Sequence, residues 1–409
     1  MTRFFPILAL LAGVVLLAGC VPQVREPRDA VGAYNTSGGA ARANSYGSLN
    51  VPPLDVLRER SLRGGLRGGV QGSPLEIGQR IAVLVGGEGR IPPTLALVQR
   101  DSTVWSVTLD RNDAPLASLA ADSVGTIYTI TVGGVLRAVS TEGKVLWSRE
   151  TMAGATGIAV PAPLLALADG VIAANTRGEV QRFDRTGRSL WRTSCGASLL
   201  DAPAASPAFG VVLSVTHNDY TLSDTLIALD PATGARRWTR PLSGERIVAG
   251  PVLVDEHVLV GVQRQRPSGA FAAALVALDR RGAVVWERPL RLTPRGIAAD
   301  SGLIAVSCSG TSLDHAGGVL VGFDAAGGER WHREFESGLP SAPALTDQRL
   351  FLYALRDGRA GLYTLTRDGA IERFASMNRV PESRAAITLS AAGELLLGAL
   401  ELPSLVVGG

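Results

Sequence analysis

All six tryptophans of this 409-residue chain close the same local pattern, and they recur at an almost constant interval. Trp105, Trp147, Trp191, Trp238, Trp286 and Trp331 follow one another at spacings of 42, 44, 47, 48 and 45 residues. Ahead of each stands an alternating apolar run, then Asp or Ser and a polar turn, as in VLVGFDAAGGERW ending at Trp331 and LIALDPATGARRW ending at Trp238. Gly143, Gly187, Gly234, Gly282 or Gly327 lies four residues before the last five tryptophans, whereas Asp101 holds that place ahead of Trp105. Two short apolar runs joined by a polar turn with a fixed Gly predict a β-hairpin, the Gly taking a positive φ that a Cβ would strain. A further copy, GLYTLTRDGAIERF, keeps Gly369 but places Arg373 in the tryptophan register, with Phe374 one position late as its expected substitute.

Each hairpin is preceded by another strand opened by a turn, such as GTIYTITV at Gly125 or GLIAVSC at Gly302, and that strand by a Pro/Ala-containing apolar segment. Four short strands per unit, repeated at a period in this range, predict an all-β β-propeller. Eight second strands can be traced but only seven closing strands. The count favours eight four-stranded blades, one closed by a strand from the N-terminal region at about Tyr46 to Val51; seven is the alternative. The tryptophans are expected to pack between neighbouring blades.

The repeat unit resembles the quinoprotein-type (PQQ-like) propeller repeat over residues 74 to 409. That resemblance implies the fold and leaves function open, because the same blades build quinone enzymes and binding scaffolds. Quinone enzymes of this type hold calcium with carboxylates and amides, many with an adjacent Cys-Cys pair. No two cysteines are adjacent here. Asp184, Asp230, Asp279 and Asp324 sit at hairpin turns, where a carboxylate caps backbone amides. His217, His257, His315 and His332 fall at unrelated repeat positions with no metal-ligand spacing. No catalytic residue, metal or cofactor is therefore assigned, and the chain is read as non-enzymatic.

The first twenty residues read as a targeting segment. Arg3 is followed by an apolar stretch from Phe4 to Leu16 that is short for a bilayer span, then by Leu17-Ala18-Gly19-Cys20. This resembles a bacterial lipoprotein signal, which implies acylation of the Cys20 thiol and a stable membrane anchor. Val21 after the cysteine is compatible with export to the outer membrane. Residues 21–73, rich in Gly, Pro, Ser, Asn and Arg, read as a flexible tether spanning roughly 35 to 45 Å as a coil. Within it, Leu54 to Leu62 has the spacing of two helical turns.

Residues 1–76 contain eight Arg and five acidic residues, which accounts for the whole chain's formal charge of +3. A neutral folded domain argues against a nucleic-acid binder, whose basic excess would lie in the fold. Beyond Cys20, Cys195 and Cys308 lie more than two blades apart and are expected as buried, unpaired thiols.

Loop length singles out one surface. The turn between second and third strands is tight near Gly133-Gly134 and Arg177-Gly178, then expands to THNDYTLSD, QRQRPSGAFA and CSGTSLDHAGG in three consecutive units. Those connections emerge on one face and form a ledge with Tyr220, Arg264, Arg266 and Phe271 as candidate partner anchors, since aromatics and Arg dominate interface cores.

The order lipobox, tether, propeller is similar to that of the BamB family of outer-membrane assembly lipoproteins. The resemblance implies a lipid-anchored scaffold of the cell envelope, in the outer membrane or on another extracytoplasmic membrane face, with envelope proteins as partners. Two other readings stay open: a quinone-dependent dehydrogenase, and an envelope sensor or glycan-binding propeller.

Overall fold

The computed structural model describes residues 45–409 except 87–90, 110–114, 123, 132–133, 152–160, 176, 197, 200–202, 217–222, 267, 269–270, 311–316, 378–386, 391, 399–403 and 409. No described residue is helical. Eight antiparallel sheets form the eight blades of a propeller. Seven follow the chain directly, from blade I (Val70–Ile77, Arg80–Val85, Thr94–Gln99, Ser102–Thr108) to blade VII (Ala344–Leu345, Arg349–Arg356, Arg359–Thr366, Ile371–Ser376). In blade IV the first strand is split into Ser198–Leu199 and Ala204–Ser206, both paired with Gly210–Thr216.

First strands of neighbouring blades touch one another over most of the ring. Second and third strands are buried almost throughout, as in Leu303–Ser309 and Gly318–Phe323. Fourth strands are largely exposed, and Ser102–Thr108 alternates exposed with half-buried residues because one face packs on a neighbour and the other meets solvent. The core is consequently a series of apolar layers between adjacent blades.

Blade VIII closes the ring with chain from both ends. Its strands are Thr388–Leu389, Leu395–Gly398, Ser404–Gly408 and, outermost, Leu57–Ser61, which runs antiparallel to Ser404–Gly408. The closing strand therefore comes from the N-terminal region, but not from Tyr46 to Val51, which form no strand. The helix suggested by the spacing from Leu54 to Leu62 is replaced by this strand. A boundary at residue 74 falls inside Val70–Ile77, so the ring begins well before it.

Tryptophan and glycine act as a pair across six of the eight seams. The indole N–H of Trp105, Trp147, Trp191, Trp286 and Trp331 donates to a carbonyl in the next blade's hairpin: Thr141 (2.8 Å), Arg185 (2.7 Å), Pro231 (2.8 Å), Ala325 (3.2 Å) and Arg367 (2.8 Å). The hairpin Gly of that next blade lies flat against the ring. A Cβ on Gly234, whose φ is +71°, would stand 2.6 Å from Trp191 Cε3. Glycine is thus demanded twice, by backbone conformation and by contact with the indole.

Two residues after the tryptophan, Arg149, Arg288 and Arg333 donate from Nε to the carbonyl of Gly187, Gly327 and Gly369 at 2.9, 2.7 and 2.7 Å, and the Thr193 hydroxyl does the same to Gly234. The hairpin carboxylates cap their own turns as expected. Asp184 accepts from the amides of Thr186 and Arg188, Asp230 from Ala232 and Thr233, Asp279 from Arg281 and Ala283, and Asp324 from Gly328.

Three seams depart from the pattern, the one from blade VIII to blade I because the closing strand Leu57–Ser61 has no tryptophan. Trp238 Nε1 is buried without a hydrogen-bond partner, so the seam between blades IV and V rests on packing alone at this point. At blade VII, Arg373 and not Phe374 occupies the tryptophan register, opposite Thr364. Arg373 pairs with Asp55 at 2.9 Å in the N-terminal segment, and Phe374 packs on Tyr363 of its own blade with ring centroids 4.7 Å apart. The difference at Trp238 can be measured. Trp191→Phe is expected to destabilise the ring by about 1 kcal/mol more than Trp238→Phe, because only Trp191 loses a hydrogen bond. Paired urea denaturations would show it as a lower midpoint at equal slope.

Candidate protein-binding face

In an antiparallel blade the connections between strands 1 and 2 and between strands 3 and 4 lie at one end, and those between strands 2 and 3 at the other. The first end is a tightly hydrogen-bonded rim. Asp122, in the first turn of blade II, has a side chain with no exposed surface and accepts from the amides of Val124 and Thr126, the Tyr128 hydroxyl and Arg185 Nε of blade III. Asp300 of blade VI receives both terminal nitrogens of Arg367 from blade VII at 2.7 Å, with its carboxyl held below the usual range despite burial. These pairs stitch consecutive blades together.

The second end carries the length variation. Blade V brings Arg264, Arg266 and Phe271 to that end, on the strands His257–Gln265 and Phe271–Leu278 and the connection between them. Phe271 is 52% exposed opposite Gln265, and Arg266 is exposed. Arg264 is different in kind. Its guanidinium is paired with Glu245 of the first strand and, at 2.8 Å, with Glu287 of the fourth, which makes it a brace across the blade. Burial pushes the Glu245 carboxyl up, partly offset by Arg264. Tyr220 lies outside the described residues. The long connections are not confined to three blades either, since blade I also has an extended one at 86–93.

Beside this end, between blades VI and VII, the structure has a cavity of about 610 Å³ lined by Arg295, Ser309, Glu336, Pro340, Tyr353 and Leu355. Burial raises the pKa of the Tyr353 hydroxyl. The only signal in the sequence is the Gly/Pro-rich connection 336–343, because Tyr353 and Leu355 sit in an otherwise unremarkable strand.

The described residues gather no group of three His, Cys, Asp or Glu side chains able to hold a metal ion. Cys195 and Cys308 are buried, unpaired, and raised by burial to about 11 and about 12. Cys195 and Cys308 are not adjacent, so they do not form the cysteine pair that many quinone enzymes of this fold carry. Cys20 lies outside the described residues, and no described helix is long and apolar enough to cross a membrane.

Ring, repeat and seam geometry together define the class: the chain is a β-propeller of PQQ-like repeats. A sequence model of the family described as outer membrane protein assembly factor BamB matches residues 176–274 and 271–372, and the chain is similar to BamB. Among solved structures, BamB from Moraxella catarrhalis superposes with a TM-score of 0.59 at 16% identity over 88% of this chain and 98% of that one. Quinohemoprotein alcohol dehydrogenase from Comamonas testosteroni gives 0.63 at 13% identity over 90% and 79%, and Sqt1 from Saccharomyces cerevisiae 0.59 at 11% over 88% and 99%. At those identities the structural likeness concerns the fold alone. No curated protein matches the sequence.

Proposed function

We propose that this chain is a lipid-anchored, non-catalytic scaffold of the bacterial envelope that binds other envelope proteins during outer-membrane protein assembly. The observation that carries the reading is the family match over 176–372, which spans the blades bearing Arg266, Phe271 and the cavity beside them. The lipobox ending at Cys20 supplies the anchor and the outer membrane its destination. Exposed Phe271 and Arg266 are anchors of the kind that interface cores use, set on a rigid blade. Arg264 holds that blade end in shape.

The anchor has a direct test. Cys20→Ser should move the exported protein from the membrane pellet to the soluble fraction, because the acyl chains supply the affinity and the ring is neutral overall. A Cys20→Ser protein that is exported and still sediments with membranes would remove the lipoprotein reading. The enzymatic alternative predicts instead that adding quinone with calcium produces dehydrogenase activity in the purified protein.

A further inference from the structure

The chain enters the ring at a defined place. Ser45 forms a parallel bridge with Leu345, the last residue of the first strand of blade VII. The Tyr46 amide donates to the Leu345 carbonyl at 2.9 Å, and the amide of Asp347, in the turn after that strand, donates to the Gly47 carbonyl at 2.8 Å. The Tyr46 hydroxyl donates to the carbonyl of Ile387, just before the first strand of blade VIII. Tyr46 also lines a cavity of about 770 Å³ with Leu75, Gly78, Gly125 and Leu389, residues of the first strands and first turns of blades VIII, I and II. The N-terminal segment thus leaves the ring close to its axis, at the end that carries the turns between strands 1 and 2.

We propose that this end of the ring faces the lipid surface, and that the opposite end, with Arg266, Phe271 and the cavity of about 610 Å³, is held away from it. The proposal rests on acylation at Cys20. Cys20 and Ser45 are 25 residues apart, a length for which a flexible chain has a root-mean-square span of about 25 to 30 Å. Eight blades packed about 10 Å apart place the outer edge of the ring about 22 Å from the axis, and a strand of five to eight residues adds about 20 Å of height. A path from the axis around the rim to the far end is therefore about 40 Å or more, longer than that root-mean-square span. Turning the ring over stretches the tether, whereas the proposed orientation does not.

Electrostatics does not compete with this constraint. Four arginines on the tethered end are paired with carboxylates, Arg185 with Asp122, Arg237 with Asp230, Arg280 with Glu256 and Arg367 with Asp300. Residues 77–409 carry no net charge, so the orientation should depend little on salt or lipid charge.

The test uses the full-length lipidated protein in phosphatidylcholine vesicles containing an acceptor-labelled lipid. A donor dye is placed on Arg281→Cys, in the hairpin turn of blade V at the tethered end, or on Ser268→Cys, at the other end of the same blade. Cys195 and Cys308 are buried and Cys20 is acylated, so the introduced thiol takes the label. Energy transfer to the lipid should be about twofold higher from position 281 than from 268, given a separation of about a strand length. The ratio should survive high salt and anionic lipid. A long Gly/Ser insertion between positions 44 and 45 should bring it towards one. Equal or reversed transfer in vesicle-bound protein overturns the orientation, as does a ratio unaffected by the insertion. Failure of the protein to float with vesicles overturns instead the anchoring on which it rests.

Discussion

Gly234→Val is expected to destabilise the propeller by about 3 to 5 kcal/mol, a large fraction of the stability of an ordinary domain. Two costs combine. The backbone at Gly234 has φ of +71°, where a β-branched residue is strained, and the new Cβ would stand 2.6 Å from Trp191 and 2.7 Å from Thr193 Oγ1. The indole cannot retreat, because its N–H is bound to the Pro231 carbonyl and it is buried between blades III and IV. Gly244→Val is the control. Its φ is +77° but nothing lies within 4 Å of its Cβ position, so it carries only the backbone term of about 1 to 3 kcal/mol. Equal denaturation midpoints for the two variants would show that the Trp–Gly contact does not hold the seam.

Asp122→Ala is expected to cost about 2 to 4 kcal/mol, through lost hydrogen bonds and not through volume. The carboxylate accepts four donors and is fully buried, and Tyr128, whose hydroxyl is one of them, has no exposed surface. Removing the acceptor leaves the Thr126 amide without its partner and the Tyr128 hydroxyl with only the Thr126 side chain, while Arg185 is exposed enough to be hydrated. Asp122→Asn keeps an acceptor oxygen and should lose about half as much. Thermal denaturation of the two variants orders them, and an alanine variant as stable as the parent would remove the rim network from the account.

The fold was legible because one repeat carries two coupled demands. A hairpin Gly and a tryptophan at a constant offset are each weak signals, but six copies leave few architectures. The closing strand was hidden for a physical reason. Leu57–Ser61 is an edge strand with three of its five residues exposed, so it shows no alternation. Apolar residues of the stretch, Leu54, Leu57 and Leu62, happen to fall at helical spacing, whereas Leu54 is buried against blades VII and VIII. Arg149, Thr193, Arg288 and Arg333, each two residues past a tryptophan, were visible as letters but not as a seam contact, since their acceptors lie in the next repeat.

The candidate face was legible only in outline. Loop length pointed to one end of the ring, and Arg266 and Phe271 stand there exposed. Composition could not distinguish them from Arg264, because whether an Arg is free or braced depends on Glu245 and Glu287, which are distant in sequence. The cavity next to Tyr353 is assembled from two blades and has no linear signature.

Arg266→Ser combined with Phe271→Ser bears most directly on the scaffold reading, with the lipidated parent and variant used side by side to capture proteins from envelope extract. Circular dichroism should show equal β content, because both side chains lie outside the core. The account predicts that the variant remains folded and membrane-bound but loses the envelope proteins that the parent retains. A folded variant that captures the same proteins in the same amounts would contradict it.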